Sequence, residues 1–207
     1  MVNKIFIVLL VFFCLIGKIY AQVLPTFVQE EGAFIGSNEK TTGVAISPDG
    51  TKIFVMKFGD ATDISLYQYT LDTAFDISSK DAGSEQKLDL APAGDALNSQ
   101  AEDITFNNDG TKLFAISDDG AMNIHTLSTP YDISSGVTLV ADDGINWRTY
   151  KQPWGSSNTV MLPQTIRFNN DGTRMYLTEA VINTTVSVGV VQYNLATPFV
   201  PSSTTSV

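Results

Sequence analysis

The sequence is poor in the residues that carry metal and nucleophile chemistry. It has one cysteine and one histidine in 207 residues. Cys14 lies in an apolar run near the start, so the chain beyond it has no thiol for a disulfide, a nucleophile or a Cys-based metal site. His125 alone cannot build a His-rich metal centre, and no Ser-His-Asp set is indicated around it. Basic residues are also scarce: 12 Lys and Arg stand against 22 Asp and Glu, a net charge of −10. Such a surface repels nucleic acid and anionic membranes. It suits a soluble extracellular chain, or one that attracts divalent cations. No stretch of the chain carries helical periodicity.

The long apolar run needed for a membrane span is missing too. The start reads "MVNK", then "IFIVLLVFFCLIG" over residues 5–17, then "KIYAQ". A basic start, a 13-residue apolar run and a small residue at Ala21 are the layout of a secretory signal peptide cut after Ala21. A span needs about 20 apolar residues. Cys14 follows two phenylalanines, not the small residues of a lipid-attachment site. Cleavage removes Lys4 and Lys18 and leaves the chain more acidic still. The expectation is residues 1–21 as signal peptide and 22–207 as one repeat domain, secreted, periplasmic or at the cell surface.

What the chain does have is repetition. "AISPDGTKIFVM" starts at Ala45, "FNNDGTKLFAIS" at Phe106 and "RFNNDGTRMYLT" at Arg167. The turn glycines Gly50, Gly110 and Gly172 are 60 and 62 residues apart. Each Asp-Gly lies between two apolar segments and supplies the αL-tolerant turn of a tight hairpin. The second strand of each hairpin reads as apolar on both faces, as Ile53 to Met56 and Leu113 to Ile116 show, which is the pattern of a sheet covered on both sides. A third strand follows at "LYQYTL", "MNIHTL" and "VVQYNL", and then a second shared phrase, "DTAFDISS", "STPYDISS" and "ATPFVPSS". A fourth strand fits "KLDLA" from Lys87 and "VTLVA" from Val137, and "PTFVQ" from Pro25 is a matching piece before the first unit. The units are bounded at approximately 24–80, 86–135 and 137–199.

Four short strands per unit, repeated, describe an all-β fold of propeller blades. The shared phrases resemble the SPDG-type blades of secreted bacterial β-propellers, the lactonase-like and WD-repeat-like group, over most of the chain beyond the leader. The resemblance implies blade architecture and says little of activity, because propellers host many functions. Closed propellers have roughly four to eight blades, and three units are present here. Three arrangements answer this: a piece of a longer propeller, which is favoured, an open three-blade arc, or copies associating through exposed blade faces.

Function in a repeat fold is expected where the units diverge. The segment between the second and third hairpins is 10 to 12 residues longer than its counterparts and reads "NWRTYKQPWGSSNTVML". It holds both tryptophans, Trp147 and Trp154, with Arg148, Tyr150 and Lys151 between them. Aromatic faces stack on sugars, and Arg adds a planar hydrogen-bonding fork. These five residues are the candidate ligand site; the alternative is that the tryptophans fold back over the seam between blades.

The other polar residues read as structure. Asp49, Asp109 and Asp171 precede the turn glycines and read as turn formers. His125 takes the slot of Tyr69 and Tyr193. Asp76 and Asp132 are replaced by Val200 in the third unit, which suggests a local cap. Loop acids Asp60, Asp63, Asp118 and Asp119 lack EF-hand spacing, so Ca²⁺, the one cofactor with any claim, is weakly supported. On the inner strand, Glu102 and Asp103 align with Thr42 and Gly43 and with Gln164 and Thr165, so no ring of metal ligands is built. Asn183 opens a formal glycosylation sequon, read as coincidence. The expectation is a binding module for a glycan, peptide or partner protein, leaning away from an enzyme and with no catalytic residue assigned. A lactonase-like hydrolase with catalytic residues partly outside this chain and a structural scaffold are the alternatives.

Overall fold

The computed structural model describes residues 34–35, 40–58, 63–90, 101–134, 136–142, 145–147, 160–182 and 189–205. All lie in the compact unit Glu31–Val207. Among them there is no α-helix, and the strands form three four-stranded antiparallel sheets, each a simple meander. The first comprises β1 (Lys40–Ile46), β2 (Lys52–Phe58), β3 (Ser65–Leu71) and β4 (Lys80–Asp89). The second comprises β5 (Ala101–Phe106), β6 (Lys112–Ser117), β7 (Met122–Leu127) and β8 (Val137–Asp142). The third comprises β9 (Val160–Phe168), β10 (Arg174–Ile182), β11 (Gly189–Leu195) and β12 (Thr204–Thr205). This is the expected blade architecture, three units in an open all-β, propeller-like arrangement. Hydrogen bonding places β4 and β8 in the same sheet as the hairpin before them, whereas the sequence units break at 80 and 135.

The two-sided apolar strands stack the blades. On β6, Leu113 and Ala115 join a core shared with Phe54, Met56 and Leu66 of the first blade. Phe114 and Ile116, on the other face, join a core with Ile166, Met175 and Leu177 of the third. The middle blade is therefore buried on both faces, which is why β6 shows no alternation. The third hairpin departs from the two-sided pattern expected of every second strand: on β10 Met175 and Leu177 are buried, but Tyr176 and Thr178 on the opposite face are half-buried.

The two shared phrases form one device. In each blade the Asp of the Asp-Gly accepts from the backbone N–H and hydroxyl of the following threonine. The glycine takes a positive φ, 72° at Gly50, 71° at Gly110 and 70° at Gly172. Its carbonyl accepts the N–H of Phe75, Tyr131 or Phe199, and these aromatic residues also have positive φ, 62°, 52° and 54°. The aromatic ring lies against its glycine, leaving no room for a Cβ. Side chains then clip neighbouring blades together. Lys52 Nζ donates to the Tyr131 carbonyl at 3.0 Å and pairs with Asp132 at 3.2 Å. Lys112 Nζ repeats the reach to the Phe199 carbonyl at 3.4 Å.

Candidate functional site at the inner edges of the blades

The first strands of the blades, β1, β5 and β9, are edge strands, each hydrogen-bonded in its sheet on one side only. Each inner strand carries a bulge at a matching place. Thr42 and Gly43 oppose the single residue Met56, Glu102 is the extra residue between Ala101 and Asp103, and Gln164 is the extra residue between Pro163 and Thr165. A bulge bends a strand and re-aims its side chains. At Gly43, β1 lies directly on β5: a Cβ there would stand 3.1 Å from the Ile104 nitrogen. Thr42 Oγ1 donates to the Ala101 carbonyl at 2.9 Å.

Beyond this crossing toward the Asp-Gly turns, a cleft of about 300 Å³ opens between β1 and β5. Val44, Ile46 and Pro48 line one side, and Thr105, Phe106, Asn108 and Tyr131 the other. Val44 and Ile46 are 57% and 40% exposed, large for apolar side chains on a strand. Arg167, from β9 of the third blade, completes the lining.

Arg167 is held by a partner from the middle blade. Asp103 is buried and accepts both the Ile166 N–H at 3.0 Å and Nη1 of Arg167. Burial lifts the Asp103 carboxyl above the usual carboxylate range, opposed by the Ile166 N–H and the guanidinium. The hydrogen bonds of Arg167 all leave from Nη1, to Asp103 and to the carbonyls of Ile104 at 3.4 Å and Ile166 at 2.6 Å. Nε and Nη2 make none among the described residues, and the side chain is 54% exposed. One edge of the guanidinium is thus anchored and the other is open. Next to Asp103, burial raises the Glu102 pKa, helped by the negative charges of Asp118 and Asp103 and opposed by a hydrogen bond from Gln164.

Of the ligand residues expected from sequence, Arg148, Tyr150, Lys151 and Trp154 lie outside the described residues. Trp147 is described and has no exposed surface. It packs in the seam between the second and third blades, edge-on to Tyr193 with ring centroids 5.1 Å apart. Its backbone N–H donates to the Gly120 carbonyl at 2.9 Å. A ring wholly covered by its own chain offers no face for a sugar to stack on, so the ligand role expected of Trp147 gives way to packing.

The acids fall into turns and pairs. Asp119 caps its own turn, accepting from Ser117 and from the Ala121 N–H at 3.2 Å. Asp63 is paired with Lys57 at 2.6 Å and Lys87 at 3.1 Å, while Asp60 and Asn183 are outside the described residues. Among the described residues no three His, Cys, Asp or Glu side chains come together as a metal-binding group. His125 lies opposite Leu113, the register position that Tyr69 and Tyr193 hold in the other blades.

Sequence reasoning missed Arg167 and the cleft. Arg167 stands two residues before the repeated "NNDG", where the other units have Ala45 and Thr105 aligned on the turn glycine. A charge where the other units have an apolar or small residue was the available signal.

Fold and site together define a stack of three propeller-type blades with a cleft at its inner edge. No protein-family model matches the chain, and no curated protein matches it.

Proposed function

We propose that this protein is a secreted binding module built from propeller blades, taking its ligand at the cell surface or outside the cell. The observation that carries the reading is the inner-edge cleft. It combines exposed apolar walls on Val44 and Ile46 with a half-anchored guanidinium on Arg167. Apolar walls with a few directed polar groups are the make-up of a recognition site. The leader-like start and the acidic balance support a place outside the cytoplasm. The test is to present the purified protein to glycan and peptide arrays and to a panel of lactones. Saturable binding to one array class without turnover is the expected result. Lactone turnover, with neither array retained, would replace this reading with a hydrolase.

A further inference from the structure

The geometry points to a specific ligand class for the cleft: the carboxyl terminus of a peptide ending in an apolar residue. The inference rests on the binding-module reading above and deepens it.

Charge comes first. The open Nε and Nη2 edge of Arg167 is a two-donor fork, and a carboxylate is the group that matches it with two parallel hydrogen bonds. Asp103 holds the other edge through Nη1, so the fork is oriented before the ligand arrives. The protein carries 22 acidic side chains against 12 basic ones, so an anion is disfavoured over most of its surface. A carboxylate that binds here is drawn by one placed cation and not by a general field.

Shape and backbone choose among carboxylates. The walls next to the fork are branched or aromatic: Val44, Ile46, Phe106 and Tyr131. A sugar acid would need a ring of hydrogen-bonding partners; besides Thr105 and Arg167 the polar side chains that line the cleft are Asn107, Asn108 and Tyr131, and these already hydrogen-bond within the chain. An apolar terminal residue fits these walls. β1 also has no sheet partner on the side away from β2. An extended peptide can add main-chain hydrogen bonds to such an edge.

The experiment titrates the full protein with an acetylated pentapeptide ending in leucine, once as the free acid and once as the amide, by calorimetry. Glucuronate is the third probe. In parallel, the Arg167 Nε–H resonance is followed by NMR. The acid should bind at least roughly tenfold tighter than the amide, reflecting a charge-assisted bidentate pair, and should shift the Nε–H signal. Val44→Glu sits on an exposed wall, leaves the Asp103 pair intact, and should weaken acid binding by a similar factor. Equal binding of acid and amide, or an acid affinity unmoved by Val44→Glu, would overturn the peptide-terminus inference while leaving a binding module in place. Glucuronate binding that shifts Nε–H, with no peptide binding, would also overturn it in favour of a sugar acid. No binding by any probe here, together with empty arrays in the experiment above, would remove both readings.

Discussion

Gly110 lies under the ring of Tyr131, so that a Cβ added to the glycine would stand 2.6 Å from the Tyr131 Cγ. The same relation holds for Gly50 with Phe75 and Gly172 with Phe199. Two separate constraints thus fall on one residue. The positive φ disfavours any L side chain, and the ring occupies the space one would need. Both partners of the pair have left-handed backbone, which a non-glycine residue holds only when its surroundings determine it. Here the surroundings are a hydrogen bond from the Tyr131 N–H to the Gly110 carbonyl at 2.9 Å and bonds from the Tyr131 hydroxyl to the carbonyls of Asn107 and Asn108.

Gly110→Ala should therefore destabilise the protein by about 2–4 kcal/mol, the sum of a left-handed penalty of about 1–2 and an overpacking term. Adding Tyr131→Ala separates the two. The double variant should regain the overpacking part relative to simple additivity, and the φ part should stay. Urea midpoints of the four proteins measure the coupling; strict additivity would mean that the ring and the glycine do not contact each other in solution.

This pairing also marks what the sequence made readable. The Asp-Gly turns, the hairpins and the two-sided β2 and β6 strands followed from local pattern and from repetition. So did the register slot of His125, because three aligned units give three views of one position. The aromatic of the second phrase was visible as a repeated residue, but its left-handed backbone was not, since nothing in the letters Phe, Tyr and Phe announces positive φ. Asp103 and Arg167 are 64 residues apart, and their pairing depends on how one blade is offset against the next. Each also breaks the repeat, and aligning the units marks the two positions as unusual without showing that they meet. Trp147 was legible as unusual, but its burial depends on the seam between two blades.

Trp147→Ala should cost about 3–5 kcal/mol, as for other large buried aromatics, because the ring is fully buried among Phe114, Met175 and Tyr193. Trp147→Phe should recover part of this while losing edge-on contact with Tyr193. Thermal unfolding followed by Tyr and Trp signals reads both. A Trp147→Ala protein as stable as the parent would show that the seam is held without this side chain.

The clip between blades should be stronger at the first seam than at the second. Lys52 meets a carbonyl and the Asp132 carboxylate, whereas Lys112 meets the Phe199 carbonyl next to Val200, which offers no charge. Lys52 and Asp132 are about a quarter exposed, so their coupling should be about 0.5–1 kcal/mol and should shrink in high salt. A double-mutant cycle of Lys52→Met with Asp132→Asn, at low and high ionic strength, tests this. Coupling that ignores salt would assign the effect to packing of the lysine stem.

Acid should weaken the protein. The Asp49 carboxyl is held below its usual range by Ser47 and Thr51, Asp63 by Lys57, Ser65 and Lys87, and Asp109 and Asp171 by the threonines that follow them. A carboxyl lowered in the folded state binds fewer protons there than in the unfolded chain. Its contribution is therefore present above the ordinary aspartate value of about 3.9 and is lost as pH falls toward the folded value. Urea midpoints should be flat near neutrality and decline below about pH 4. Asp63→Asn should flatten that decline; an acid limb unchanged by it would shift the cause to the turn aspartates.

The pH behaviour of the Asp103–Arg167 pair should run the other way. Burial raises the Asp103 carboxyl, and the guanidinium is one of the groups that oppose the rise. Removing it in Arg167→Met leaves a buried carboxylate with backbone N–H groups, chiefly that of Ile166, and no positive charge to oppose the rise. The folded pKa then climbs further above the unfolded value, so the folded state binds more protons than the unfolded state between the two. Stability in this variant should fall as pH rises through that window and level off above it. The deficit relative to the parent should thus be small near pH 4 and, for a pair with one partner half in solvent, about 1–3 kcal/mol at pH 7. Arg167→Met combined with Asp103→Asn should remove most of the pH dependence by removing the charge. A deficit that is the same at pH 4 and pH 7 would mean that Arg167 supports the third blade through its aliphatic stem, and that Asp103 is not ionised in the parent protein.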